Sequence, residues 1–72
     1  MKKISVVIAN RHQTSISLEN EFWAEFQKIA QEENLSINQL VTKIDAARTE
    51  ENLCSAIRIY ILNHLKSKTE NN

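Results

Sequence analysis

At 72 residues the chain is one domain, in the size range where a single hydrophobic core is marginal unless disulfides, a metal or a second subunit assist it. Its single cysteine, Cys54, excludes an internal disulfide, and its Cys and His do not stand at zinc-ligand spacing, which leaves self-association as the remaining aid and a reducing cytosol as the expected compartment. Nine basic side chains balance nine acidic ones, but the balance is segregated: residues 1–18 carry Lys2, Lys3 and Arg11 with no acid (+3), residues 19–51 carry three bases and eight acids (−5), and residues 52–72 carry three bases and one acid (+2). A positive N-terminal face inside a neutral molecule is therefore expected.

The opening stretch, Met1 to Ala9, is basic and then apolar, yet too short for a signal core or a membrane span, so the chain reads as soluble and unprocessed, with no membrane partner. Thr14-Ser15-Ile16-Ser17-Leu18-Glu19 follows as a short alternating strand. No clear turn chemistry gives it a hairpin partner, so a second copy of the chain is expected to supply the other strand. A second arrangement stays open. Ile4 to Ala9 is β-prone, and with Ala9-Asn10-Arg11-His12 as a loose turn it can lie antiparallel beside Thr14 to Leu18, widening the ribbon.

Neither Gly nor Pro occurs, so helix ends are read from caps. Phe22, Trp23, Phe26, Ile29 and Ala30 recur on one helical face with polar residues between, predicting a first helix over 20–34 with its cap at Glu19 or Asn20 and Asn34 as a left-handed C-terminal cap. Ser36 begins the next helix as its cap, and Leu40, Val41 and Ile44 form the buried stripe of a helix that runs to about Arg48, with Asp45 and Arg48 spaced as a surface ion pair. The polar Thr49-Glu50-Glu51-Asn52 then breaks the chain and starts a third helix, in which Leu53, Ala56, Ile57, Tyr60, Ile61, His64 and Leu65 keep helical spacing. Ile59 and Leu62 widen its apolar face, as in a helix with a second neighbour in another subunit. Residues 67–72 read as a flexible polar tail.

Strand, helix, Leu-Ser turn and helix in this order resemble the ribbon-helix-helix family, the fold of the Arc and MetJ repressors. The resemblance is carried by Thr14-Ser15-Ile16-Ser17-Leu18, by Phe22-Trp23-x-x-Phe26-x-x-Ile29-Ala30 and by Asn34-Leu35-Ser36-Ile37-Asn38; Ile44-Asp45-Ala46-Ala47-Arg48 and Asn52-Leu53-Cys54-Ser55-Ala56-Ile57-Arg58-Ile59-Tyr60 add likeness to a bacterial subgroup of small stand-alone members. It covers residues 11–66, after an N-terminal arm of residues 1–10. What it implies is a mainly α fold with a short β-strand, an intertwined homodimer whose intersubunit antiparallel ribbon enters the major groove of double-stranded DNA.

The resemblance then assigns roles. Gln13, Ser15 and Ser17 would face the bases with Arg11 at the strand start, while Thr14, Ile16 and Leu18 face inward. Ser36, Ile37 and Asn38 at the second helix start would hold a backbone phosphate, with Lys2 and Lys3 as further phosphate contacts. Ile16, Leu18, Trp23, Ile57, Tyr60 and Ile61 would form the dimer core. The plainer alternatives are a solvated strand face, a simple helix cap at Ser36 and a solubilising arm, and Trp23 reads as a core or subunit-interface anchor rather than a ligand-stacking platform. No catalytic residues are expected: His12 and His64 lie far apart, and Cys54 has no base or orienting acid at recognisable spacing. No cofactor, metal or small-molecule ligand is implied.

Two functions from different classes follow: a DNA-binding dimer that regulates transcription as a repressor, and a dimeric protein-interaction module, antitoxin-like or scaffolding, that keeps the fold without specific DNA binding. An antitoxin that wraps its toxin needs a C-terminal segment longer than the short polar tail read here.

Overall fold

In the computed structural model, which describes residues 1–9, 12–49 and 51–70 with side chains through residue 67, two strands precede three helices. β1 (Lys2–Ile8) and β2 (His12–Leu18) pair antiparallel, with Ile4 opposite Ile16 and Val6 opposite Thr14. The partner of the alternating strand is therefore in the same chain, in the wider-ribbon arrangement, and no second copy is needed to complete the hairpin. The turn runs through Ala9 in the left-handed region, φ 53°, a conformation that normally favours Gly or Asn. An alanine there carries no turn signal, which is why turn chemistry fails to announce the hairpin.

α1 (Asn20–Glu32) buries Phe26, Ile29 and Ala30. It ends as anticipated: Asn34 takes φ 58°, its N–H donates to the Gln31 carbonyl at 3.1 Å, and the Leu35 N–H donates to the Ala30 carbonyl at 2.9 Å. Both bonds of the Schellman motif are thus made, with Asn in the position usually held by Gly. α2 (Ile37–Ala47) starts at a complete capping box, in which the Gln39 N–H donates to Ser36 Oγ at 3.1 Å and the Ser36 N–H to Gln39 Oε1 at 2.8 Å. The Arg48 guanidinium bonds Asp45 at 2.9 Å and reaches the Glu51 carbonyl, bridging the end of α2 to the following loop. Asn52 caps α3 (Leu53–Glu70), accepting the Ser55 N–H on Oδ1 at 3.1 Å.

The backbone of 67–70 continues α3 into the polar segment, and Asn71 and Asn72, the end of the expected tail, lie outside the described residues. No Gly or Pro interrupts this stretch, so intrinsic propensity lets the helix run on past its last apolar residue.

One core joins all five elements. The inner face of the hairpin gives Val6, Ile16 and Leu18; α1 gives Phe26, Ile29 and Ala30; α2 gives Leu40, Val41 and Ile44; α3 gives Ala56, Ile57 and Ile61. Ile16, Leu18, Ile57 and Ile61, expected at a subunit interface, are already buried within one chain, and Trp23 and Tyr60 pack partly buried against them. On α3, Ile59 and Leu62 stay 41% and 47% exposed.

Polar clamps fix the helices around this core. Glu33, at the end of α1, accepts hydrogen bonds from Lys43 Nζ of α2 and from the Tyr60 hydroxyl of α3, each at 2.7 Å. The Lys43 ammonium, and secondarily the Tyr60 hydroxyl, hold the Glu33 carboxyl below its ordinary value of 4.5. A carboxyl lowered in the folded state contributes stability above its unfolded pKa and loses it as pH falls through the folded value. The thermal midpoint should therefore drop below about pH 4.5, and Glu33→Gln should flatten that acid limb while lowering the midpoint at neutral pH. Thermal melts of both proteins between pH 3 and 7 check this; an unchanged acid limb in the variant would assign the loss to other carboxyls.

Candidate nucleic-acid interface

The period of 2 along both strands sorts their side chains onto two faces. Residues opposite each other in the register share a face, so Lys3 with Ser17, Ser5 with Ser15 and Val7 with Gln13 form three cross-strand rows on the side of the hairpin away from the helices. Lys3, Ser5, Gln13 and Ser15 are exposed there, while Val7 and Ser17 are half-buried. The sequence-predicted readers Gln13, Ser15 and Ser17 thus stand together, with Ile16 and Leu18 turned inward. Arg11 lies outside the described residues. Lys2 and Lys3 part company: Lys2 pairs with buried Leu18 and belongs to the inner-face series at the strand end, and Lys3 stands on the outer face.

Reading the second strand alone misses Ser5 and Val7. The signal for them was present, since Ile4, Val6 and Ile8 alternate with Lys3, Ser5 and Val7.

The edges of the hairpin are held by the helices. The Val7 N–H donates to Asn38 Oδ1 at 3.1 Å and the Ala9 N–H to Thr42 Oγ1 at 3.0 Å, so α2 secures the outer edge of β1. On the other edge the Ser17 N–H donates to Cys54 Sγ at 3.4 Å, and Arg58 donates to the Ser17 carbonyl at 3.4 Å and to Glu19 at 3.0 Å. Cys54, half-buried, has a specific contact here and also packs against the core as a small apolar side chain does. A hydrogen bond from the Glu19 backbone N–H, then the Arg58 guanidinium, keeps the Glu19 carboxyl below its ordinary value. Because Ser17 and Val7 turn their amides outward, parity places those of Gln13 and Ser15 on the same outer edge of β2 as Ser17.

The bond from Val7 to Asn38 brings the start of α2 beside the ribbon. At that helix start the capping box already engages the N–H groups of Ser36 and Gln39, which leaves the amides of Ile37 and Asn38 directed off the helix end, where the dipole favours an anion. Val7, Ala9, Asn38, Gln39 and Thr42 line a shallow groove between ribbon and helix. Sequence spacing alone cannot show this juxtaposition.

Among the described residues no three His, Cys, Asp or Glu side chains gather as a metal site, and no helix is long and apolar enough to cross a membrane.

The architecture is that of a small ribbon-and-helix domain: a two-stranded antiparallel ribbon with a mostly polar outer face, followed by capped helices. The chain belongs to the ribbon-helix-helix family: the model of the ribbon-helix-helix domain matches residues 1–65. Domains of this family generally dimerise and bind DNA, as transcription regulators or antitoxins, and are generally not enzymes. No curated protein and no solved structure matches the chain.

Proposed function

We propose that this chain is a sequence-specific DNA-binding homodimer of the cytoplasm that regulates transcription, most simply as a repressor occluding a promoter or its own operator. The observation that carries this reading is the outer face of the hairpin, where Gln13, Ser15 and Ser17 stand on one surface with Lys3 and no acid. Gln can pair bidentately with adenine, and Ser is a permissive partner of any base. The amides of Ile37 and Asn38, with the Ser36 cap behind them, would hold a backbone phosphate at the flank, and Lys2 and Arg11 would add sequence-independent attraction. Ile59 and Leu62 are the apolar surface that one chain leaves for a second copy.

That apolar surface, together with the single charge on the described ribbon face, also favours a second reading as a dimeric protein-interaction module. Fluorescence titration of the protein against duplex DNA from upstream of its own gene, at two salt concentrations, separates the two. A regulator should bind more tightly than the roughly 10⁻⁴ to 10⁻⁶ M of non-specific association at physiological salt, and Arg11→Ala should lower the salt slope by about 1. Binding no tighter than that range would leave the interaction module as the function.

A further inference from the structure

We infer that base recognition is spelled by both strands of one chain, with Val7 of β1 reading a thymine methyl beside Gln13 of β2, and Lys3 of β1 reading a guanine at the far end of the same face. The inference rests on the DNA-reading proposal and extends it to residues of β1.

Val7 and Gln13 are directly opposed in the register, and both belong to the series whose amides point outward, as the Val7 to Asn38 bond shows for β1. Theirs is a non-hydrogen-bonded pair, the closer kind, with Cβ atoms about 4.5–5.5 Å apart. An A·T pair presents adenine N7 and N6 next to the thymine O4 and C5-methyl in the major groove. The Gln13 amide complements the first of these, and the Val7 methyls complement the last. A methyl-bearing side chain locked beside a carboxamide is thus the chemical image of an A·T edge.

The middle row, Ser5 with Ser15, offers two hydroxyls that donate or accept and so discriminates weakly. The last row, Lys3 with Ser17, adds an ammonium suited to guanine O6 and N7. Successive rows on one face lie two residues apart, about 6.8 Å, so the first and last rows are separated by about 13.6 Å. At about 3.4 Å per base pair that is about four base-pair steps. Two strands about 4.8 Å apart also fit a groove about 12 Å wide, whereas a four-stranded sheet does not fit edge to edge. Absence of acid from residues 1–18 keeps the surface free of repulsion toward phosphate.

The test is selection from a pool of randomised DNA duplexes by the full chain, followed by resynthesis of the enriched duplex with deoxyuridine replacing each thymine in turn. The expected motif places an A·T pair and a G·C pair about four base pairs apart around a tolerant centre. Uracil at that A·T pair should weaken wild-type binding about fourfold, the value of one buried methyl group. Folded Val7→Ala, whose single methyl stands further from the base, should show a smaller thymine-over-uracil preference than wild type. Lys3→Ala, at an exposed position that leaves the fold intact, should lose the guanine preference and keep the A·T one. Equal uracil loss in wild type and Val7→Ala, no loss in either, or an enriched motif lacking this spacing would overturn the assignment while leaving DNA recognition standing. If no duplex is enriched, the DNA-reading proposal falls and takes this one with it.

Discussion

Ile16→Ser or Leu18→Ser is expected to abolish the folded state, whereas Ser15→Ala and Ser17→Ala leave helicity unchanged. Leu18 is 0% exposed and Ile16 1%, at the meeting point of hairpin and helices. Truncating a buried aliphatic side chain costs about 2–5 kcal/mol, and placing a hydroxyl without a partner in that space adds about 1–3 kcal/mol. A domain of this size is stable by only about 4–11 kcal/mol, so either change removes most of it. Ser15 is exposed and Ser17 turns its side chain outward, so truncating them falls within about 0.5 kcal/mol. Far-ultraviolet circular dichroism of the four variants decides the matter. Equal loss of helicity from all four would mean that the strand faces are inverted.

Gln13→Ala should cost about 1–3 kcal/mol at the cognate site, roughly fivefold to more than a hundredfold in affinity, with binding to random sequence almost unchanged. Truncation leaves the adenine edge without its bidentate partner but removes no charge, so the salt dependence should not move. Ser36→Ala behaves differently. It breaks the capping box and costs about 1 kcal/mol of stability before any phosphate is considered. Competition titrations with cognate and scrambled duplexes separate the two effects; loss of both affinities in equal proportion would make Gln13 a structural residue, and no loss in Gln13→Ala, Arg11→Ala or Ser36→Ala would favour the interaction module.

Local rules made much of this molecule legible. Ser36 with Gln39 three residues on is a capping-box spacing, Asn34 tolerates a left-handed turn, and the alternation from Thr14 to Leu18 has only one way to bury Ile16 and Leu18. Each is decided within a few residues. The partner strand was harder to see because its turn passes through Ala9 at positive φ, where the gain that holds the hairpin comes from Asn38 and Thr42, 31 and 33 residues away from the amides they accept. The clamp of Glu33 by Lys43 and Tyr60 and that of Glu19 by Arg58 are equally non-local, and no spacing along the chain encodes them. For the candidate site the shared face of Gln13, Ser15 and Ser17 followed from periodicity, but their row partners required the register, and the register is a property of two segments together.

Only residues 9–11 separate β1 from β2, and this brevity has a kinetic consequence. Closing so short a loop and zipping the hairpin are first-order events, on the order of microseconds, whose rate does not depend on how many copies of the chain are present. A ribbon built between subunits would instead wait for a bimolecular encounter. Temperature-jump relaxation across a hundredfold range of concentration should accordingly show a fast phase of constant rate in which the two-stranded ribbon is completed, with any concentration-dependent phase confined to the later docking of one finished chain on another.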